Sequence, residues 1–501
     1  MTGRRLYVIT FAVMLSLFLA SIEATVVATA MPTIVSQLGG LAIYAWIFSA
    51  YMLASTTMVP IFGKLSDIYG RRAIYLIAMT VFLVGSILCG IATNMEQLVL
   101  FRVIQGLGAG GLLPLAFTII GDIFSFEQRA KMQGWFSGVW GFSSIAGPLV
   151  GGFFVDHVSW RWVFLINLPF GLFASALMIW AWRDVTPRHG GKVDFLGAAL
   201  LSGGVIALLL ALFQLNGNPS PFVFWSLLAT AIVLLALLIW FEPRIENPIL
   251  PIALFRDRLF AITTGHGFVS GFALFGTASF IPFYVESVLG TSATQAGATL
   301  TPQLLGWVGA SVIGSRLLLR FNYRSLAMVG MTSLVIGAGL MTQVGVTTPQ
   351  WYLLLGVALM GIGMGLSVPP FLIAVQSSVP RQFLGTATAT VQFSRNIGGA
   401  VGVSVMGVIL ATRLASALTL EGIDPNSVSL NALLDPIAGA ASMNLGPLRD
   451  ALASAMQAVF IGAFVATLIA WIITALAPRG RIGVHTKAEA AEVSAESLPV
   501  D

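Results

Sequence analysis

Charge is scarce in this chain. Only 9% of its 501 residues are Asp, Glu, Lys or Arg, while 57% are hydrophobic; a soluble domain carries about 25% charged residues. No water-facing surface of the ordinary kind can be built from that stock. Disorder is excluded by the same numbers, since disordered chains are poor in apolar residues. Cysteine is almost missing, and a lone Cys89 rules out a disulfide scaffold. The four histidines, His157, His189, His266 and His485, are too scattered to form a metal site. No Walker A loop occurs either, because Gly63-Lys64 is followed by Leu65. Clustered acids and histidines at catalytic spacing are absent, which argues against a membrane enzyme. What the chain has in quantity is long apolar runs, and these predict an all-α integral membrane protein.

An apolar helix needs about 20 residues to cross roughly 30 Å of hydrocarbon. Fourteen runs qualify: 6–30, 42–62, 73–93, 98–121, 134–155, 162–182, 195–215, 222–241, 259–289, 296–319, 325–344, 351–375, 384–412 and 456–477. The ninth and thirteenth are long enough to tilt or to extend beyond the bilayer. With the N-terminus inside, 20 of the 25 Lys and Arg residues fall on the cytoplasmic side and 3 outside. Arg102 and Arg395 are left at membrane depth. One miscounted span would invert every later loop and destroy that bias, so both termini are expected to be cytoplasmic. The net charge of +5 then reports topology, and no nucleic-acid partner is expected. Arg4-Arg5, an apolar run and Ala28-Thr29-Ala30 imitate a cleavable leader. The run is too long for one and contains Glu23, so it reads as the first span.

Gly63, Gly147 and Gly151 recur as Gly314, Gly398 and Gly402, each 251 positions later. Their surroundings match too: Gly147-Pro148-Leu149-Val150-Gly151 answers Gly398-Gly399-Ala400-Val401-Gly402. That offset maps span 1 onto span 9. It implies six-helix halves at residues 1–193 and 244–482, with two further spans at 194–243 reading as lipid-facing filler. Parallel repeats are a transporter architecture, with the binding site between the halves. A channel fits the two-fold repeat less well than alternating access. The segment 413–455, with its Asp-Pro and Gly-Pro steps, reads as a long outer loop, and residues 483–501 read as a polar, disordered tail.

The most specific motif is Gly63-Lys64-Leu65-Ser66-Asp67-Ile68-Tyr69-Gly70-Arg71-Arg72, between spans 2 and 3. Its glycines allow a tight turn and close helix approach. Asp67 offers an acceptor to an arginine or to a helix N-terminus across the two halves. The segment resembles the loop signature of the major facilitator superfamily at Gly63, Leu65, Asp67, Gly70, Arg71 and Arg72, where it implies a latch that shuts the cytoplasmic side. Arg102 to Gly111 is similar to the superfamily's span-4 motif. Gly141 through Gly147, Pro148, Gly151 and Gly152 is similar to its antiporter motif, which implies an exporter. Glu23-Ala24-Thr25-Val26-Val27, Trp160 to Pro169 and Gln392 to Gly399 resemble the fourteen-span drug:proton antiporters within that superfamily. There the span-1 acid is usually Asp, and Gln often stands where this chain has Glu286. The resemblance implies two six-helix bundles plus two extra central transmembrane helices. It also implies a plasma-membrane antiporter exporting lipophilic or cationic drug-like compounds, or one endogenous lipid, siderophore or metabolite.

With no nucleotide site, the energy source expected is a proton gradient and no cofactor. Glu23 is the acid well inside an apolar span, and intramembrane acids are functional by default. Burial and a nearby cation act on a carboxyl in opposite senses, which is what a proton carrier needs. Arg102 is the candidate cation, as the resemblance also implies. Substrate walls should be apolar and aromatic. Trp46, Tyr51, Trp135, Trp140, Phe142, Phe272, Tyr284 and Phe393 are the candidates. Glu286 is placed at the outer mouth, solvated or touching cations. Arg395 is suited either to joining the halves or to meeting anionic substrates. His266 reads as a helix contact or a second protonation site. The partners expected are a lipophilic small molecule, protons and the lipid bilayer, with the chain a monomer.

Overall fold

A computed structural model describes residues 3–39, 43, 46–182, 193–214, 220–245, 248–291, 293–420 and 445–480. Among them the regular structure is entirely helical. The first group is α1 (Gly3–Leu38), α2 (Trp46–Tyr69), α3 (Arg71–Ile91), α4 (Met95–Ile123), α5 (Phe126–His157), α6 (Trp162–Leu165) and α7 (Asn167–Ala181). Two helices follow, α8 (Phe195–Gln214) and α9 (Pro221–Phe241). The second group is α10 (Arg258–Ser287), α11 (Ala293–Ala298), α12 (Thr301–Leu317), α13 (Tyr323–Met341), α14 (Gln350–Ser378), α15 (Leu384–Leu420) and α16 (Leu445–Ala475).

Twelve helical stretches among the described residues are long and apolar enough to cross a membrane. Helices α5 and α12 fall outside that set for different reasons. α5 has 32 residues but is rich in glycine and serine. α12 has 17 residues, about 26 Å at 1.5 Å per residue, slightly under the ~30 Å of hydrocarbon. Chain ends of elements differ from expectation around the long loop. α15 continues to Leu420 and α16 begins at Leu445, so residues 413–420 and 445–455 are helical, not loop. Pro447 does not prevent this, because a first-turn N–H has no intrahelical acceptor to lose. Residues 421–444 and the tail 483–501 lie outside the described residues.

The helices of the two groups pack in a similar order. α1 lies on α5 and α7, α2 on α4, and α3 on α4; in the second group α10 lies on α15 and α16, α12 on α14, and α13 on α14. The groups meet along two seams, α5 with α12 and α2 with α15. A Cβ on Gly134 would come 3.2 Å from Val312, and one on Gly385 would come 2.6 Å from the Gly63 carbonyl oxygen. Gly134 and Gly385 are 251 positions apart and line equivalent seams.

Helices α8 and α9 pack on each other, but only α8 also packs on α2 and α15. Its Leu201 and Val205 join Ile397 and Ala400 in one apolar cluster. α8 therefore covers a seam between the groups, whereas α9 exposes Phe222, Trp225, Ile232 and Trp240. The reading as filler does not fit α8, which packs on both groups.

Candidate functional site

Glu23 lies in the middle of α1 and is 1% exposed. An unpaired carboxylate there would be very costly, and the surrounding helices supply donors. Arg102 of α4, also 1% exposed, donates from Nη1 to Glu23 Oε1 at 2.5 Å. Asn167 Nδ2 donates to Glu23 Oε2 at 2.7 Å. The same Arg102 nitrogen reaches Gln105 Oε1 at 2.7 Å, and Gln105 Nε2 donates to Ser86 Oγ at 2.9 Å. Arg102 Nε donates to the Ile47 carbonyl at 3.3 Å. Four helices of the first group thus hold one ion pair, while α2 supplies the carbonyl. Asn167 opens α7 beside Pro169, whose missing N–H interrupts the α6–α7 helix.

Asn167, Gln105 and Ser86 were not singled out from the sequence as partners of Glu23. Asn167 and Gln105 sit inside the motifs quoted above, which was the only signal available. Among the described residues Asn167 Oδ1 is buried with no hydrogen-bond partner.

Glu23 itself does not face the central cavity. The Tyr51 ring connects the pair to the cavity: it lies 4.1 Å from the Arg102 guanidinium carbon and lines the cavity. A cation over an aromatic face is favourable by about 0.5–2 kcal/mol. A change of charge at Glu23 therefore reaches the cavity wall through Arg102 and Tyr51.

The cavity itself has a volume of about 370 Å³ and lies between the two helix groups. Leu113, Pro114, Phe117, Phe136, Trp307 and Leu372 give it apolar walls from α4, α5, α12 and α14. Polar side chains come mainly from one stretch of α15: Gln392, Arg395 and Asn396. No Asp or Glu lines it.

Of the wall residues expected from sequence, Tyr51, Trp140 and Arg395 line this cavity, and seven stand elsewhere. Trp46 packs on Phe213 of α8, with ring centroids 5.0 Å apart. Trp135 is 65% exposed and Phe142 is 64% exposed, on the outer face of α5. Phe272 packs in the core of the second group, and Phe393 packs beneath α8. Tyr284 is buried and donates to the Gly345 carbonyl at 2.6 Å. Glu286 is half-buried at the end of α10. Each sits on a helix that borders the cavity but is rotated off the inner face; helix identity alone does not fix that rotation. His266 is buried against Thr474 of α16 at 3.0 Å.

At the far end of α2 the two groups are joined. Asp67 Oδ1 accepts the Gly385 N–H at 2.9 Å. Asp67 Oδ2 accepts the Thr386 N–H at 2.7 Å and the Thr386 hydroxyl at 2.6 Å. One carboxylate thereby satisfies free N–H groups at the start of α15, where the helix dipole also favours negative charge. Arg71 completes the cluster, at 2.5 Å from Asp67 and 2.8 Å from Asp122. Arg72 donates to the Ile179 carbonyl at 2.8 Å. Gly70 adopts φ 94° between α2 and α3, a left-handed conformation in which other residues are strained. Gly63 lets α2 touch α15, since a Cβ there would lie 2.4 Å from that of Ala389.

The glycines of α5 do the same against α1. A Cβ on Gly147 would sit 1.9 Å from Thr25 Oγ1, and one on Gly151 would sit 2.1 Å from Thr29 Oγ1. Both contacts fall within two turns of Glu23. Gly152 meets nothing within 4 Å and takes no part in this contact. The Pro148 side chain lies outside the described residues. Among the described residues no group of His, Cys, Asp and Glu has the spacing of a metal site.

Comparison with known proteins places this arrangement. Residues 13–403 match the model of the Major Facilitator Superfamily. The chain is 37% identical over 408 residues to multidrug transporter protein MdtP of Bacillus subtilis, covering 81% of this chain and 75% of that protein. It is 37% identical over 404 residues to multidrug resistance protein 3 of the same organism, covering 80% and 79% respectively. It is 32% identical over 441 residues to the acurin A biosynthesis cluster MFS-type transporter of Aspergillus aculeatus, covering 85% of this chain and 78% of that protein. Among solved structures, the human organic anion transporter MFSD10 has the same fold, with a TM-score of 0.66 at 16% identity, covering 95% of this chain and all of that one. The chain belongs to the major facilitator superfamily, a family of membrane transporters and not of enzymes.

Proposed function

We propose that the protein is a proton-coupled antiporter that exports a lipophilic small molecule by alternating access, with Glu23 as the proton carrier. The observation that carries this reading is the buried Glu23–Arg102 pair, whose guanidinium rests on the cavity-lining Tyr51. Protonating Glu23 removes the charge that holds Arg102. The guanidinium, still against Tyr51, must then find other acceptors, and the cavity wall is changed with it. α1 cannot move alone, because Gly147 and Gly151 bind it closely to α5. α5 in turn meets α12 of the second group through the Ser137–Ser311 hydrogen bond at 2.6 Å. The proton site is thus connected to a seam between the groups.

In the proposed cycle the outward-facing protein takes a proton on Glu23. Facing inward it releases the proton and binds substrate, and the next proton favours substrate release outside. Asp67, Arg71 and Gly63 form the latch on the cytoplasmic side, and both termini are cytoplasmic. We read the twelve long apolar stretches together with α5 and α12 as fourteen spans. They form two six-helix bundles with α8 and α9 between them, in a monomer of the plasma membrane.

A single endogenous lipid, siderophore or metabolite is the substrate class favoured. The cluster of Gln392, Arg395 and Asn396 on one stretch of α15 would fix the orientation of one kind of amphipathic molecule. The relative from the acurin A biosynthesis cluster is consistent with that reading. General drug export is the second reading, which the two Bacillus relatives favour by name.

The test uses purified protein in liposomes under an imposed pH gradient, comparing wild type with Glu23→Gln. The variant should bind substrate but lose gradient-driven accumulation. Equal accumulation by both proteins would remove Glu23 from the mechanism.

A further inference from the structure

We propose that the central cavity is an anion-recognition site, in which Arg395 receives the negatively charged group of a lipophilic acid. The inference deepens the transport reading above and depends on it only in taking this cavity as the place where substrate binds.

Four observations converge on Arg395. It lines the cavity. Its one hydrogen bond among the described residues is to the side-chain oxygen of Gln392, a neutral neighbour one turn away. Every carboxylate near the membrane interior of the first group is already engaged: Glu23 by Arg102 and Asn167, Asp67 by Arg71 and α15. No Asp or Glu reaches the cavity wall. Among the described residues Arg395 therefore stands as a guanidinium at membrane depth with no counter-charge, which is an expensive arrangement. A ligand carboxylate or sulfonate would supply the missing partner.

The surroundings hold it in place. A Cβ on Gly271 of α10 would come 2.4 Å from the Arg395 carbonyl oxygen and 3.0 Å from its Cγ, so α10 lies directly against its backbone and stem. The guanidinium fork matches planar two-oxygen acids. Asn396, the next residue, also lines the cavity and carries amide donors. Across from this polar stretch, Phe117, Phe136, Trp307 and Leu372 take the apolar body. The same fork repels cations, so the cavity discriminates by exclusion as well as by attraction.

The experiment is equilibrium dialysis of radiolabelled probes against the full chain in nanodiscs, with empty nanodiscs subtracted. Three probes are used: anilinonaphthalene sulfonate, its neutral parent phenylnaphthylamine, and tetraphenylphosphonium. Wild type should bind the sulfonate about 10- to 100-fold more tightly than the neutral parent, the range expected for a desolvated charge-assisted pair. The cation should bind weakest. Arg395→Gln should abolish the preference while leaving the neutral probe's affinity unchanged, and Arg395→Lys should retain part of it. If Arg395→Gln also loses the neutral probe, its cavity is damaged, and the wild-type ranking with Arg395→Lys decides. Equal wild-type affinity for sulfonate and parent, a preference for the cation, or a preference that survives Arg395→Gln would each overturn the proposal. So would loss of the preference in physiological chloride, which would assign the site to the inorganic ion. Binding needs no pH gradient. A failed Glu23→Gln transport test with an intact sulfonate preference would therefore count against proton coupling and not against this site.

Discussion

Replacing Asp67 by Asn should loosen the end of the molecule where Asp67 bonds α2 to α15. The substitution keeps the shape and removes the charge. As a carboxylate, Asp67 accepts three hydrogen bonds from Gly385 and Thr386. An Asn amide presents one oxygen and one NH2, so at least one N–H of α15 would face another donor. Arg71 loses a partner too, but keeps Asp122 at 2.8 Å, so the cluster does not collapse. Hydrogen bonds to a charged group contribute about 1.5–3 kcal/mol each, and water recovers much of that once the groups separate. A net loss of about 2–3 kcal/mol in the closed state is reasonable, which is roughly a 30- to 150-fold shift toward separation. Spin labels at Tyr69→Cys and Gln382→Cys, both exposed and flanking the cluster, would report it as a distance distribution. The native Cys89 is buried and leaves the background quiet. Asp67→Asn should move the population to longer distances. A distribution unchanged from that of the labelled parent would refute the idea that this carboxylate holds the groups together.

Three further outcomes follow from the packing. Gly147→Ala places a Cβ 1.9 Å from Thr25 Oγ1, and overpacking of this kind costs about 1–3 kcal/mol; thermal unfolding in detergent should show a lower midpoint, partly recovered by adding Thr25→Ala. Gly152→Ala meets open space and should leave both midpoint and transport unchanged, which makes it the control for the same helix. Glu286 does not line the cavity, so Glu286→Gln should leave substrate affinity intact in the dialysis assay; a marked loss would show that the binding path includes the end of α10.

Membrane class and family were legible in the sequence for a simple reason. Hydrocarbon imposes its requirement on contiguous residues, so low charge and long apolar runs report it directly. The repeat was legible because helix contacts demand small residues at fixed positions, and Gly147 and Gly398 carry that demand in linear order. Asp67 belonged to a motif compact enough to read, ten residues long, although its partners Gly385 and Thr386 lie more than 300 positions away. Glu23 was visible because a carboxylate in an apolar run has few explanations.

The rotation of each helix about its axis was settled only by packing. Trp46, Trp135, Phe142, Phe272, Tyr284 and Phe393 have the chemistry of a substrate wall, yet are exposed on the outer face or pack on α8 or the helix core. Nothing in a uniformly apolar helix distinguishes its inner from its outer face, because lipid and protein interior favour the same side chains. Packing also put Tyr51 against Arg102 and the cavity, Asn167 on the second carboxylate oxygen, and Arg395 in the chamber with only the neutral Gln392 as its hydrogen-bond partner among the described residues. Those pairings join residues tens to hundreds of positions apart, and the energy that selects them exists only once the helices have met.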